Sequence, residues 1–378
     1  QELFNDPDGV SERLNKCLLC GSCAANCPSG VNVLEIFIKA RKILTDFKGL
    51  SPAKKLVLRG MLARPELFNR LMEWAPKFQK LFTKPASTAI GTSCARFSSP
   101  LLGHRHFKPI ASKPYHTSAP ELDTPAGRSG IRVAFYVGCL IDKIFPHIAE
   151  AVVDVLDYHG IGIFMPPDQG CCGIPAVSSG DFETFQRLVR HNLTLFDNND
   201  FDYLVTACAT CTSTIKKIWP LLANGDNGFD EAQVADIAHR TIDINQLLAP
   251  LIDAETQRES AEEKVFVTYH DPCHLKKSLG VTAEPRALIN ANPNYRLKEM
   301  AEADRCCGLG GSFNLQYYDL SANIGRLKRD HIKTSGCSVV ATSCPACMLQ
   351  ISDMLSQAGD DIRVKHPIEI YRESRRKP

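Results

Sequence analysis

A chain of 378 residues, 44% hydrophobic and 23% charged, is long enough for two or three globular domains with real cores, and it is neither disordered nor fibrous. Its net charge of +2 rests on scattered Lys and Arg, apart from a basic run at 375–377, which argues against nucleic acid as a partner. No stretch reaches the roughly 18 uninterrupted apolar residues of a membrane-spanning helix, because Glu150, Asp154 and Asp157 interrupt the most apolar helical run.

Sixteen cysteines far exceed ordinary usage, and fourteen of them fall into three compact, patterned groups. A secreted disulfide framework scatters its cysteines through loops, so metal ligation in a reducing compartment is expected instead.

Residues 1–83 carry the first group, Cys17-Leu-Leu-Cys20-Gly-Ser-Cys23-Ala-Ala-Asn-Cys27-Pro28. This is the C-x2-C-x2-C-x3-C-P run of bacterial ferredoxins, whose short turns let the first three thiolates grip three corners of one 4Fe-4S cubane. Structural zinc, the alternative, usually takes two separated Cys pairs. In two-cluster ferredoxins the fourth cysteine of each run ligates the other cluster. Either Cys27 closes its own cluster, or a companion run lies upstream. Numbering that opens at Gln1, shortly before the motif, favours a missing N-terminal segment with a second cubane. A helix is predicted over 33–47, and helical patterning continues to about Phe82 with Pro52, Pro65 and Pro76 as its breaks.

From 84 to 130 the sequence turns rich in Ser, Pro and Gly and reads as a surface linker, with His104, His106 and His116 as solvated side chains. Cys94 is a linker thiol there and an outside candidate to complete the first cubane, and Cys337, further on, is a buried thiol.

Residues 131–258 and 259–378 are an internal duplication. Cys273 follows Cys139 by 134 residues, Cys306 and Cys307 follow Cys171 and Cys172 by 135, and Cys344 and Cys347 follow Cys208 and Cys211 by 136. Each copy alternates strand and helix, which predicts a mainly parallel sheet covered by helices. Strands are expected at 133–137, 161–165 and 203–206, then at 265–268, 295–300 and 339–342, with helices at 148–158 and 182–196. The cysteines then sit at the carboxyl ends of strands, where α/β sheets place their ligands.

Each copy supplies five thiolates, one more than a cubane uses, and adjacent cysteines reach two neighbouring irons more readily than one. An unusual cluster with a bridging cysteine fits this count. A four-thiolate cubane or zinc site with a spare cysteine, or a vicinal disulfide, are the alternatives. Gly173 and Gly308, one after each pair, suit a backbone that approaches a cluster closely. His270 and His274 flank Cys273 and could hydrogen-bond cluster sulfurs. Gly308-Leu-Gly310-Gly311 is half of a dinucleotide fingerprint, but it follows a cysteine pair and has no third glycine in register.

The two C…CCG…C-x2-C sets resemble the duplicated cysteine-rich (CCG) domain of the B-type and D-type components of heterodisulfide reductase. The same domain occurs in the iron-sulfur subunits of glycolate or D-lactate oxidase and of anaerobic glycerol-3-phosphate dehydrogenase. The resemblance covers about 130–378, and with the ferredoxin run nearly the whole chain resembles the fused type. It implies a helical ferredoxin-like module followed by two α/β cysteine-rich domains. It also implies noncubane 4Fe-4S clusters on Cys139, Cys171, Cys172, Cys208 and Cys211, and on Cys273, Cys306, Cys307, Cys344 and Cys347. Fused relatives usually carry two ferredoxin runs, and the single run here departs from that pattern. The function implied is the iron-sulfur subunit of a 2-hydroxyacid (D-lactate or glycolate) oxidoreductase. It would be cytoplasmic, at most peripheral at the inner face of the membrane. FAD would lie on a partner protein only, with electrons passing to a quinone or a further electron-transfer subunit. A heterodisulfide-type catalytic component and a glycerol-3-phosphate dehydrogenase component are the alternatives.

Overall fold

In the computed structural model, which describes residues 5–97, 103–197, 200–223, 229–252 and 263–375, the N-terminal module is helical. The helix Val33–Lys48 begins where the Asn32 side chain accepts the Glu35 N–H, and it buries Ile38, Arg41 and Leu44 along one face. Pro52 and Pro65 open helices at the first position, where a missing N–H costs nothing. Pro76, expected as a break, instead lies buried inside the helix Pro65–Phe82, and the irregularity falls in a π-helical turn at Leu56–Leu62.

The stretch expected as a linker is more structured than its composition suggests. It forms an antiparallel hairpin of β1 (Thr83–Ser87) and β2 (Thr92–Ala95), in which Cys94 is paired with Lys84. It also supplies β3 (Leu122–Asp123), which joins the first large sheet. Two of its three histidines are anchors, not solvated side chains. His106 Nδ1 lies 2.8 Å from Ser356 Oγ. His116 is held between Asp142 at 2.8 Å and Glu73 at 3.2 Å. Residues 98–102 of this stretch, and 376–377 of the basic run, lie outside the described residues.

The first cysteine-rich unit is a five-stranded sheet made of β3, β4 (Arg132–Phe135), β5 (Gly162–Met165), β6 (Tyr203–Thr206) and β7 (Thr241–Asp243), in the order β3-β5-β4-β6-β7. Only the β3 pairing is antiparallel. The second unit is a four-stranded parallel sheet of β8 (Val265–Tyr269), β9 (Tyr295–Leu297), β10 (Val339–Ala341) and β11 (Arg363–Lys365), in the order β11-β10-β8-β9. Setting β3 aside, the two orders are the same. Helices cover both faces, so the central strands are apolar along their whole length, as in Val133-Ala134-Phe135-Tyr136, which is fully buried. The duplication reaches the backbone. Asp168 and Glu302, 134 residues apart, are two of the three described non-glycine residues with positive φ, at 55° and 52°.

The two units pack on each other. The helix Pro367–Glu373 of the second lies against Pro146–Tyr158 of the first, with His159 stacked on Tyr371 at 5.9 Å. Among the described residues no helix is long and apolar enough to cross a membrane.

Candidate metal centre

The strand order of each unit reverses direction between its first and third strands, β4 and β6 or β8 and β10. In open α/β sheets ligands sit in the crevice at that switch point. Cys139 and Cys208 follow β4 and β6, and Cys273 and Cys344 follow β8 and β10. All four stand at helix N-termini, whose free N–H groups and dipole favour thiolates.

The adjacent pairs arrive on the loops after β5 and β9. In the first copy the Asn192 amide fixes this loop by accepting from Gly170 N–H at 3.0 Å and donating to Cys171 O at 3.1 Å, while Trp219 Nε1 donates to Cys172 O at 3.0 Å. In the second, Ser321 Oγ donates to Gly308 O at 2.9 Å. The backbone itself requires Gly173 and Gly308. They adopt φ of 93° and 100°, and a Cβ would lie 2.6 Å from the Phe185 ring and 2.6 Å from the Ser321 carbonyl oxygen. They are needed for the turn and for helix packing.

The ten cysteines of the two sets line one cavity of ≈ 440 Å³, walled otherwise by apolar groups such as Leu18, Leu140, Ile141, Ile174 and Leu309. Their thiols form a continuous series of neighbours. It runs from Cys139 through Cys171, Cys172 and Cys211 to Cys208, crosses to Cys344, and continues through Cys347, Cys307 and Cys306 to Cys273. Thr210 Oγ1 also crosses between the copies, lying 3.3 Å from Cys344 Sγ. Interactions among these thiols push Cys171 and Cys347 well above the usual thiol range and hold Cys172 and Cys344 well below it. So many buried sulfurs cannot all ionise side by side without cations among them, and the donor set therefore fits iron-sulfur clusters. None of the sixteen cysteines is in a disulfide.

The ferredoxin run lies beside the second set. Cys17 feels the charges of Cys20 and Cys23, and Cys273 that of Cys20. Cys27 follows the short helix Ser22–Ala25, its N–H donating to Ala24 O at 3.2 Å. Leu19, the third positive-φ residue at 53°, turns inward with Leu18 to wall the cavity. The Gly-Leu-Gly-Gly segment serves this junction. Gly310 has φ of 43°, and a Cβ there would lie 2.9 Å from Leu18 Cα.

His274 has a protein partner at each ring nitrogen. Its Nε2 lies 3.1 Å from Leu19 O and its Nδ1 3.0 Å from Thr210 Oγ1, so it ties the run to both copies. His270 is buried among the second set, and burial pushes its imidazole down to about 4. Cys337 is buried, with its Sγ 3.9 Å from Ser335 O, and Cys94 stays in the β1–β2 hairpin. Sequence reasoning missed Leu18 and Leu19, which wall the cavity, and Arg41, which donates to Cys17 O of the ferredoxin run and to Ser178 O of the first copy, because these contacts join residues far apart in the chain.

A family model for the cysteine-rich (CCG) domain matches residues 133–216 and 267–352, one match on each copy. Among similar proteins, one of the subunits of the fumarate reductase (CoM/CoB) of Methanothermobacter marburgensis is 28% identical over 367 residues, covering 96% of this chain and 62% of that protein. A probable glycolate oxidase iron-sulfur subunit of Bacillus subtilis is 28% identical over 378 residues, covering 98% of this chain and 84% of that protein. A lactate utilization protein A of an Exiguobacterium species is 30% identical over 241 residues, covering 64% of this chain and 97% of that protein. The chain spans about three-fifths of the length of the methanogen relatives it matches.

Proposed function

We propose an electron-relay function on one premise: the chain belongs to the family of iron-sulfur proteins built on a duplicated cysteine-rich (CCG) domain. In this reading it is the iron-sulfur subunit of a 2-hydroxyacid oxidoreductase acting on D-lactate or glycolate. It takes electrons from an FAD-bearing partner and delivers them to a quinone or another carrier. The observation that carries the reading is the unbroken series of sulfurs from Cys139 to Cys273, with Cys20 of the ferredoxin run beside its end. Cys17, Cys20, Cys23 and Cys27 would hold a cubane and the two five-cysteine sets a noncubane cluster each, and such clusters supply one-electron transfer.

The chain's own residues hold and insulate that series. Apolar side chains wall the cavity around the sulfurs, Asn192 and Trp219 fix the adjacent pair of the first copy, and His274 holds the ferredoxin run against the second copy. Hydroxyacid oxidation removes two electrons together, which a flavin does readily. Leu67, Leu71, Trp74 and Phe78 stand exposed on one face of the helix Pro65–Phe82, an apolar stripe suited to a protein partner.

One observation favours a second reading, reduction of a disulfide. Both five-cysteine sets open on the same cavity, so a disulfide bound there would meet both. The two readings separate in one experiment with the anaerobically purified chain. The electron-relay reading expects D-lactate or glycolate to bleach the cluster absorbance only after a flavoprotein partner is added. Bleaching by the hydroxyacid with the chain alone would overturn that division of labour, and rapid cleavage of a thiol-derived disulfide by the pre-reduced chain alone would favour the second reading.

A further inference from the structure

Tyr136 and His270 occupy the same position in the two copies, each three residues before the cysteine that follows the first strand. They are used differently. The Tyr136 hydroxyl donates to Gly170 O at 2.6 Å and so has no proton left for a sulfur. His270, 1% exposed, places Nδ1 3.1 Å from the carbonyl oxygen of Ala303.

That contact decides which nitrogen carries the proton. A carbonyl can only accept, so the hydrogen bond requires Nδ1–H, and a neutral imidazole then presents Nε2 as a bare lone pair. The acceptor is held in place, since Ala303 O also receives Asp271 N–H at 3.0 Å and Lys328 Nζ at 3.2 Å. Nε2 itself is buried and has no hydrogen-bond partner among the described residues. The ligand atoms of His270, Cys307 and Cys347 lie within 4.8 Å of one another. A ring that donates one nitrogen to a backbone carbonyl, keeps the other bare and lies beside two thiols has the arrangement of a metal-binding histidine.

We propose that His270 Nε2 is an iron ligand of the cluster on the second cysteine set, so that the two copies hold unequal sites: five thiolates in the first, five thiolates and one imidazole in the second. The inference rests on the reading that iron-sulfur clusters occupy both sets. Imidazole adds a donor without adding negative charge. The sequence duplication therefore does not extend to the metal chemistry.

The test is pulsed electron paramagnetic resonance on the anaerobically purified full chain, reduced to its paramagnetic state, grown with natural-abundance or 15N-labelled histidine. The expected result is a directly coordinated nitrogen coupling that changes on histidine labelling. It should be lost in His270→Gln and retained in His274→Gln and Tyr136→Phe. The labelling comparison uses the unsubstituted protein and so does not depend on how any variant folds. Cluster signals without a histidine-dependent nitrogen coupling, or a coupling that survives in His270→Gln, would overturn the assignment while leaving the clusters in place. An iron-free protein would overturn it together with the cluster reading.

Discussion

Arg41 Nη2 donates to the carbonyl oxygen of Cys17 at 2.8 Å, which places a buried cation from the helix Val33–Lys48 on the backbone of the first cysteine of the ferredoxin run. The same guanidinium donates to Leu14 O, and through Nη1 to Ser178 O at 2.8 Å in the first cysteine-rich unit. One side chain thus joins the ferredoxin run to the duplicated part of the molecule. Arg41→Ala leaves three carbonyl acceptors without their donor and should destabilise the protein by about 2–3 kcal/mol. Arg41→Lys keeps the charge but not the fork and should recover only part of that. Chemical denaturation with iron analysis checks this. Loss of iron from the ferredoxin run should precede loss from the other sites, and simultaneous loss would contradict the local role.

Gly310 gives a second handle on the same junction. Its φ of 43° disfavours any side chain, and a Cβ would meet Leu18 Cα at 2.9 Å. Gly310→Ala should cost about 1–3 kcal/mol. Gly60→Ala is the control, because the nearest atom to its Cβ is Leu56 Cδ1 at 3.5 Å, an ordinary contact. Thermal unfolding of the two variants should separate them clearly, and equal melting temperatures would show that the close approach to Leu18 does not matter.

Five-thiolate ligation predicts that each adjacent pair serves its own copy. Cys172→Ser should remove or alter the cluster of the first set and Cys307→Ser that of the second, each costing up to about 4 iron atoms of about 12. The ferredoxin-run signal should survive in both. Unchanged iron and unchanged spectra in both variants would mean that the adjacent cysteines are spare.

Much of the architecture was legible because it is written in local patterns. Cys139 with Cys273 and Cys208 with Cys344 announce the duplication, and the apolar runs before them mark strands that the structure places at 132–135, 203–206, 265–269 and 339–341. The outer strands β3, β7 and β11 are only two or three residues long, too short for a two-residue period to stand out. Pro76 misled because a proline's effect depends on the turn before it, and here the helix continues through it. The shared cavity and the Arg41 bridge were not legible, since both depend on how three separate stretches of chain pack together. His270 was visible as a neighbour of Cys273, but the protonated nitrogen is decided by the Ala303 carbonyl, 33 residues away.

The central claim is that these cysteines hold iron-sulfur clusters, and metal analysis of the anaerobically purified chain, read with its visible absorbance, tests it most directly. One cubane and two further four-iron clusters predict a brown protein with about 12 Fe per chain and essentially no zinc. A colourless protein rich in zinc and poor in iron would contradict it.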